Sequence, residues 1–208
     1  MSIIKDLEWR YAVKKFGSGR LTEKQVNLLI ESVRLAPSAF GLQPYQLLIL
    51  ESEKARETLL PHCFGQGKVA NCSHLFILAH KTNLNKSDIE NYVSGLAEVQ
   101  GTSIAQLSQH QSQIETSIFS MTRQERIAMA KQQSFIALGT LLSAAASEQI
   151  DTCPMTGFDA DGVDQVLGLE HLGLSATALC PAGYRDANDH AAHRAKYRKP
   201  LKQLALFL

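Results

Sequence analysis

Apolar residues recur at helical spacing from Ile127 through Ala130, Phe135, Leu138 and Leu142 to Ala145, and this periodicity predicts one long helix over Thr122–Gln149. Its start is marked. Thr122, Arg123, Gln124 and Glu125 have the order of a capping box, in which the threonine hydroxyl and the glutamate carboxylate each take one of the amides that a first turn leaves unpaired. Arg126, Gln133, Thr140 and Ser147 recur every seven residues as a polar edge, expected to face water. From Phe135 onward, Ile136, Ala137, Gly139, Leu141, Ala144 and Ala146 widen the apolar face beyond what one sheet covers. A second surface must bury it. At about 1.5 Å per residue the helix would run roughly 42 Å, long enough to pack on its own sheet and against a partner subunit; a helical core within one chain is the other arrangement the pattern allows. Arg123, Arg126 and Lys131 within the segment argue against a membrane span.

The rest of the chain divides into shorter elements. Ser2–Arg10 suits a short helix with Ile3, Ile4, Leu7 and Trp9 inward, and a second capping box at Thr22–Gln25 opens a helix with Val26, Leu29, Ile30, Val33 and Leu35 inward, ended by Pro37. Ala36–Pro44 is a loop with few charges, which implies a cover. Tyr45–Leu50 and His74–His80 read as strands, the second apolar enough for the middle of a sheet. Ser52–Leu60 reads as a short helix between them. Residues 85–113, about, form a polar helical excursion broken at Gly101, either a lid over a pocket or partner, or a solvated hairpin. Thr152–Met155 and Leu174–Cys180 complete the strands. The tail Leu201–Leu208 is too apolar to hang in water and should dock.

Length and composition fit one sizeable domain spanning 1–208: 208 residues, 45% hydrophobic. No apolar run reaches spanning length, and Met1–Arg10 lacks a signal-peptide core, so a cytoplasmic protein without membrane contact is expected. Cys63, Cys72, Cys153 and Cys180 lack metal-site spacing and read as reduced structural thiols; His190 and His193 lack further ligands, and no metal is expected. A net charge of +1 argues against a general nucleic-acid surface, yet its distribution is uneven. Residues 1–20 and 185–202 hold 11 of the 21 Lys and Arg but only 4 of the 20 Asp and Glu. Two basic ends on an acidic body could converge on one anion. Within the first, Arg10 and Lys14 share a face whether the segment is helical or extended; a solvated basic turn is the plainer reading of that segment alone.

Taken in order, these pieces resemble the FMN-dependent NAD(P)H nitroreductase family over essentially the whole chain. Arg10–Phe16 matches Arg-Tyr/His-x-x-Lys-x-Phe, and Ala36–Tyr45 matches Ser-Pro-Ser-Ser-x-x-x-Gln-Pro-Trp. Gly65–His74 matches a Gly-Gln turn before a Ser-His strand, Pro154–Phe158 a Pro-x-Glu-Gly-Phe turn, and Gly183–Arg185 with Lys196–Pro200 the closing Gly-Tyr-Arg and Lys-x-Arg-x-Pro. The resemblance implies an α+β fold, a mixed sheet flanked by helices, with the long central helix at a homodimer interface and a C-terminal arm extending the partner's sheet. It implies one FMN per subunit, reduced by NAD(P)H and reoxidised by a small-molecule acceptor such as a nitroaromatic or quinone. By position, Arg10, Lys196 and Arg198 would hold the phosphate, and Lys14, Gln66 and Lys68 the pyrimidine edge of the flavin. Tyr11 and Ala12 lie in the first motif, Pro154, Met155, Thr156 and Gly157 in the turn facing the ring, and Ser38 would reach the flavin of the other subunit. The flavin carries the chemistry, so no catalytic side chain is expected. Thr156 stands where many relatives have Glu, Tyr45 where Trp is common, and Ala12 where a hydroxyl is frequent. Thr156 and the altered loop keep a second reading open, a non-catalytic flavin- or anion-binding dimeric module.

Overall fold

A computed structural model describes residues 2–208. Its centre is helix α7, Arg123–Ser147, whose Thr122 cap accepts from the Glu125 amide while the Glu125 carboxylate takes the Thr122 N–H at 2.7 Å. The predicted capping box is in place. Before it come α1 (Ile3–Trp9), α2 (Glu23–Arg34), β1 (Tyr45–Leu50), α3 (Glu53–Glu57), α4 (Lys68–Asn71), β2 (His74–Lys81), α5 (Lys86–Gln100) and α6 (Ser108–Phe119); after it come β3 (Asp151–Thr152), α8 (Ala160–Leu167), β4 (Leu174–Gly183) and α9 (Leu201–Leu204).

The four strands form one sheet in the order β1-β2-β4-β3, with every pair antiparallel. Parallel pairing, the element that makes the sheet mixed, is confined to a single bridge between Ala12 and Thr152. Alternation along β2 divides the core. Phe76 and Leu78 face a layer made by Leu29 and Val33 of α2 and Ala137, Leu138, Leu141 and Ala145 of α7. Leu75, Ile77 and Ala79 face the opposite layer, which holds Tyr11, Val13, Phe16, Leu59, Cys63, Val69 and Val163. Burial on both faces explains why this strand reads as an unbroken apolar run. A third cluster joins Ile89 and Val93 of α5, Ile114 and Ile118 of α6 and Met129 of α7, with Ala39, Leu42 and Tyr92 against it. The excursion thus covers the first half of α7; it breaks at Gly101, at φ 62°, and continues to Phe119 rather than ending near Gln113.

Several residues lie on the other side of the surface from where periodicity put them. Gln133, predicted wet, is buried because its side chain accepts the Ala39 N–H at 2.9 Å and donates to the Met129 carbonyl, tying the 36–44 loop to α7. Phe135 and Ile136, predicted buried, are 45% and 44% exposed, since the sheet and α2 take only the Ala137, Leu138 and Leu141 side of the helix. Ile3, Ile4 and Leu7 of α1, Ile30 and Leu35 of α2 and its end, and the leucines of the tail are also exposed. One chain leaves these apolar faces uncovered. No helix is long and apolar enough to cross a membrane among the described residues.

Candidate functional site

Two turns far apart in sequence are fastened together at one edge of the sheet. Gln66 donates from Nε2 to the Gly157 carbonyl at 3.0 Å, and the Asp159 N–H donates to the His62 carbonyl at 2.8 Å. His62 Nδ1 also lies 3.1 Å from the Asp159 carboxylate, and this bond holds the Asp159 carboxyl below its usual range. Gly162 makes the approach possible, because a Cβ there would sit 1.8 Å from His62 Nδ1. The first turn is bent by consecutive left-handed residues, Phe64 at φ 54° and Gly65 at φ 67°; for phenylalanine this is an uncommon conformation of the kind that clusters at functional sites. Thr156 and Gly157 are exposed, and the space around Gly157 is open. Met155 is not: it is buried, with its N–H and carbonyl paired to Leu179 at 2.8 and 3.0 Å. Pro154 is half-buried before it, and Lys68 half-buried at the start of α4.

The N-terminal motif runs extended beside β3 and β4. The Val13 N–H donates to the Thr152 carbonyl at 3.2 Å, and Ala12 bridges Thr152. Asp189, 3% exposed, organises this segment by accepting the Tyr11 hydroxyl at 3.0 Å and the amides of Lys14 and Ala191 at 2.9 and 3.1 Å. Burial opposes the charge, but the Lys14 and Ala191 amides and the Tyr11 hydroxyl hold the Asp189 carboxyl below its usual range. Burial and the same bond push the Tyr11 hydroxyl above its own. Its side chain is therefore committed inside the protein. Lys14, three residues on, is exposed. Arg185 finishes the arrangement: its guanidinium lies 4.4 and 4.6 Å from the ring centres of Trp9 and Tyr11 and 2.6 Å from the buried Asp151 carboxylate. A cation stacked on two rings and paired with a buried acid fixes the angle at which α1 meets the sheet.

Both chain ends converge on a third feature. Lys196 donates from Nζ to the carbonyls of Glu8 and Arg10, at 2.7 Å for the latter, and with Arg198 it lines a cleft of about 390 Å³ against Ile4, Leu7 and Glu8. Burial, then the charges of Arg10 and Arg198, pull the Lys196 ammonium below its usual range. Three cations are close enough to repel. Arg10 Nε is buried without a hydrogen-bond partner, and the Arg198 side chain finds only the Tyr197 carbonyl, at 2.7 Å. Glu8 is the one acidic side chain on the cleft lining, so the cluster keeps an excess of positive charge.

Ser38 lies elsewhere. Its hydroxyl accepts the Gln43 N–H at 3.0 Å in a loop ahead of β1, whose first residue, Tyr45, pairs with His80 near the start of β4; Asp151 and Arg185 sit at the other end of that strand and the far edge of the sheet. Within one chain, then, residues 10–14 run along the β3 edge, Gln66 meets Gly157, Lys196 reaches Arg10 with Arg198 lining the same cleft, and Ser38 stands apart. Sequence reading missed Asp189, Asp151, Arg185 as a stacked cation, and the His62–Asp159 pair. Asp189 carries the one local signal, since it precedes the short helical turn His190–His193 as a cap would.

The sequence profile described as "Nitroreductase family" matches residues 7–184, and the chain belongs to that family. A Staphylococcus haemolyticus protein assigned as an NAD(P)H nitroreductase is 30% identical over 194 residues, covering 88% of each chain. The major NAD(P)H-flavin oxidoreductase of Aliivibrio fischeri is 26% identical, covering 99% of this chain and 98% of its own. Among solved structures, a protein of Exiguobacterium sibiricum assigned as a nitroreductase and solved in complex with FMN superimposes with a TM-score of 0.85 at 18% identity, covering 100% and 98% of the two chains. At that identity it establishes the fold.

Proposed function

We propose that this protein is an FMN-dependent oxidoreductase that takes reducing equivalents from NAD(P)H and delivers them to an oxidised acceptor such as a nitroaromatic or quinone, working as a cytoplasmic homodimer. The observation that carries the reading is the convergence of Arg10, Lys196 and Arg198 from both chain ends, with a buried Arg10 Nε left unpaired. A phosphate carrying roughly −1.5 to −2 charge would balance the cations that Glu8 alone leaves in excess, and accepts guanidinium donors directly. The open space at Gly157 suits a flat ring, and Gln66 holds the Gly157 turn beside Lys68. These features fit FMN.

FMN, when bound, supplies hydride acceptance and donation. The chain's own contribution is placement: Asp189 fixes Tyr11 and the main chain at Lys14, and the exposed Lys14, with Lys68, would favour negative charge on a bound ring. Ser38, distant from the other residues within its own chain, would act on the partner's flavin. The exposed Phe135 and Ile136 and the Leu201–Leu208 tail are the faces such a partner would cover.

The test is rapid mixing of the FMN-loaded protein with NADH or NADPH while the flavin absorbance is followed. Bleaching, with recovery on adding a quinone or nitroaromatic, is expected. Persistent colour with either nucleotide would favour a non-catalytic flavin-binding module instead.

A further inference from the structure

Behind α4 lies a second cationic cleft that shares no residue with the cluster described above. We propose that this cleft, formed by the Gly17–Arg20 loop, α3 and α4, binds a small oxyanion of the phosphate class. Its volume is about 330 Å³, and Gly17, Ser18, Gly19, Arg20, Arg56 and Asn71 contribute to its walls. The main point is Arg56. This side chain is 1% exposed, the largest fully buried one in the chain, yet it has no carboxylate within ion-pair distance among the described residues. It donates from Nε to the Ala70 carbonyl at 3.0 Å and from Nη1 to the carbonyls of Glu51 and, at 3.2 Å, Ser73. Arg20 reaches into the same place and donates from Nη1 to the Cys72 and Ser73 carbonyls at 3.1 and 2.9 Å.

Carbonyl oxygens orient a guanidinium but do not neutralise it. Two of these groups share the Ser73 carbonyl, and each leaves donors without a protein acceptor: Nη2 on Arg56, Nε and Nη2 on Arg20. Burial, and the charge of Arg20 with it, lower the proton affinity of Arg56, against the opposing pull of Cys72 and of the Glu53 and Glu51 carboxylates, neither of which comes within ion-pair distance. A buried cation without a paired anion is costly, whereas a planar fork of unpaired N–H groups matches phosphate geometry. Glu53 is the opposing feature. It lines the mouth, is exposed, and forms no ion pair with either arginine, so its carboxylate would repel an incoming anion. Removing it should therefore help the ligand while leaving the guanidiniums in place. The volume exceeds what inorganic phosphate needs, leaving room for a phosphate carried on a small organic body.

The experiment is calorimetric titration of the wild-type protein, saturated with FMN so that the first cationic cluster is filled, with inorganic phosphate and separately with glycerol phosphate. Ionic strength is held constant with chloride. Arg20 is exposed, so Arg20→Gln should fold, which thermal unfolding without phosphate checks. Saturable binding is expected, weakened about tenfold or more in Arg20→Gln, as loss of a charge-assisted contact implies, and tightened in Glu53→Gln. A tighter response to glycerol phosphate would identify the ligand as a phosphomonoester, and a tighter response to phosphate as the free ion. Absence of saturable binding in the wild type, or equal affinities in all three proteins, would overturn the proposal.

Discussion

The two halves of the candidate site differ in how complete one chain makes them. Around Gly157 and Tyr11 nearly every polar group has its partner: Gln66 holds Gly157, His62 holds Asp159, and Asp189 takes three donors. Around Arg198 the reverse holds, with three cations, one orphaned nitrogen, and a tail in which Leu206 is 82% and Phe207 96% exposed. The satisfied half is scaffold. The unsatisfied half has side chains and apolar area to spare, and a ligand and a second subunit would use both. Members of the nitroreductase family are typically dimers, and the contrast marks the parts of this chain that a partner would complete.

The strongest attack on that contrast removes the unfinished part. Ending the chain after Pro200 deletes Leu201, Leu204, Leu206, Phe207 and Leu208, whose docking at about 25 cal/mol per Å² would contribute several kcal/mol before ordering costs. Loss of both the dimer and the bound flavin is expected, read by sedimentation and by flavin absorbance on one sample. A monomer that retains FMN would show that one chain suffices.

A narrower cut compares neighbours. Arg198→Ala should weaken FMN binding about tenfold or more, the scale of a charge-assisted contact of roughly 1.5 to 3 kcal/mol, while Lys199→Ala, outside the cleft that Arg198 lines, should change little. Fluorescence titration of FMN measures both. Equal losses would mean that general positive charge, rather than a placed guanidinium, holds the phosphate.

What the sequence disclosed follows the same division. Elements with strong local rules were legible: the Thr122 capping box, the strand Tyr45–Leu50 at its observed limits, the break at Gly101, the apolar β2 run. Motif order also drew together Gln66 with Gly157, and Lys196 with Arg10. Gln133 was placed on the wrong side because helical periodicity sees a polar residue, not the Ala39 amide that awaits it from a loop 94 residues away. Asp151 and Asp189 went unnoticed for a similar reason: a lone acid in sequence becomes an organising group only when the fold delivers Arg185 or Tyr11 to it. Phe135 and Ile136 were read as buried, and within this chain nothing covers them, because periodicity marks an apolar face without saying what meets it.

Within the satisfied half, Asp189→Asn is expected to destabilise the fold by about 1 to 3 kcal/mol near neutral pH, since an ionised acceptor of the Tyr11 hydroxyl and two amides is lost. The pH dependence has a definite sign. Because the folded protein holds this carboxyl below its usual range, its stabilisation is complete above the unfolded value of about 3.9 and disappears as pH falls through the lower folded value. Urea unfolding of both proteins should therefore show a gap at pH 7 that narrows below about pH 4. A gap independent of pH down to acid unfolding would mean that packing rather than charge is what Asp189 provides.

The smallest effect should come from Gln66→Ala. The bond from Nε2 to the Gly157 carbonyl is neutral and half-exposed, so its net value is about 0.5 to 1.5 kcal/mol. Deleting it does not release the turn, because the Asp159 N–H still reaches the His62 carbonyl and the His62 ring still reaches the Asp159 carboxylate. With that second tie intact, the FMN dissociation constant should rise about two- to tenfold, less than for Arg198→Ala. Removing both side-chain ties in Gln66→Ala/His62→Ala, which leaves only the Asp159 N–H on the His62 carbonyl, should cost more than the sum of the single losses, since each substitution alone leaves the other side chain to hold the same backbone. Simple additivity in the flavin titration would mean that the two bonds act on separate segments. A single Gln66→Ala loss as large as that of Arg198→Ala would reverse the comparison, making the fastened turn and not the cationic cleft the part that holds the flavin.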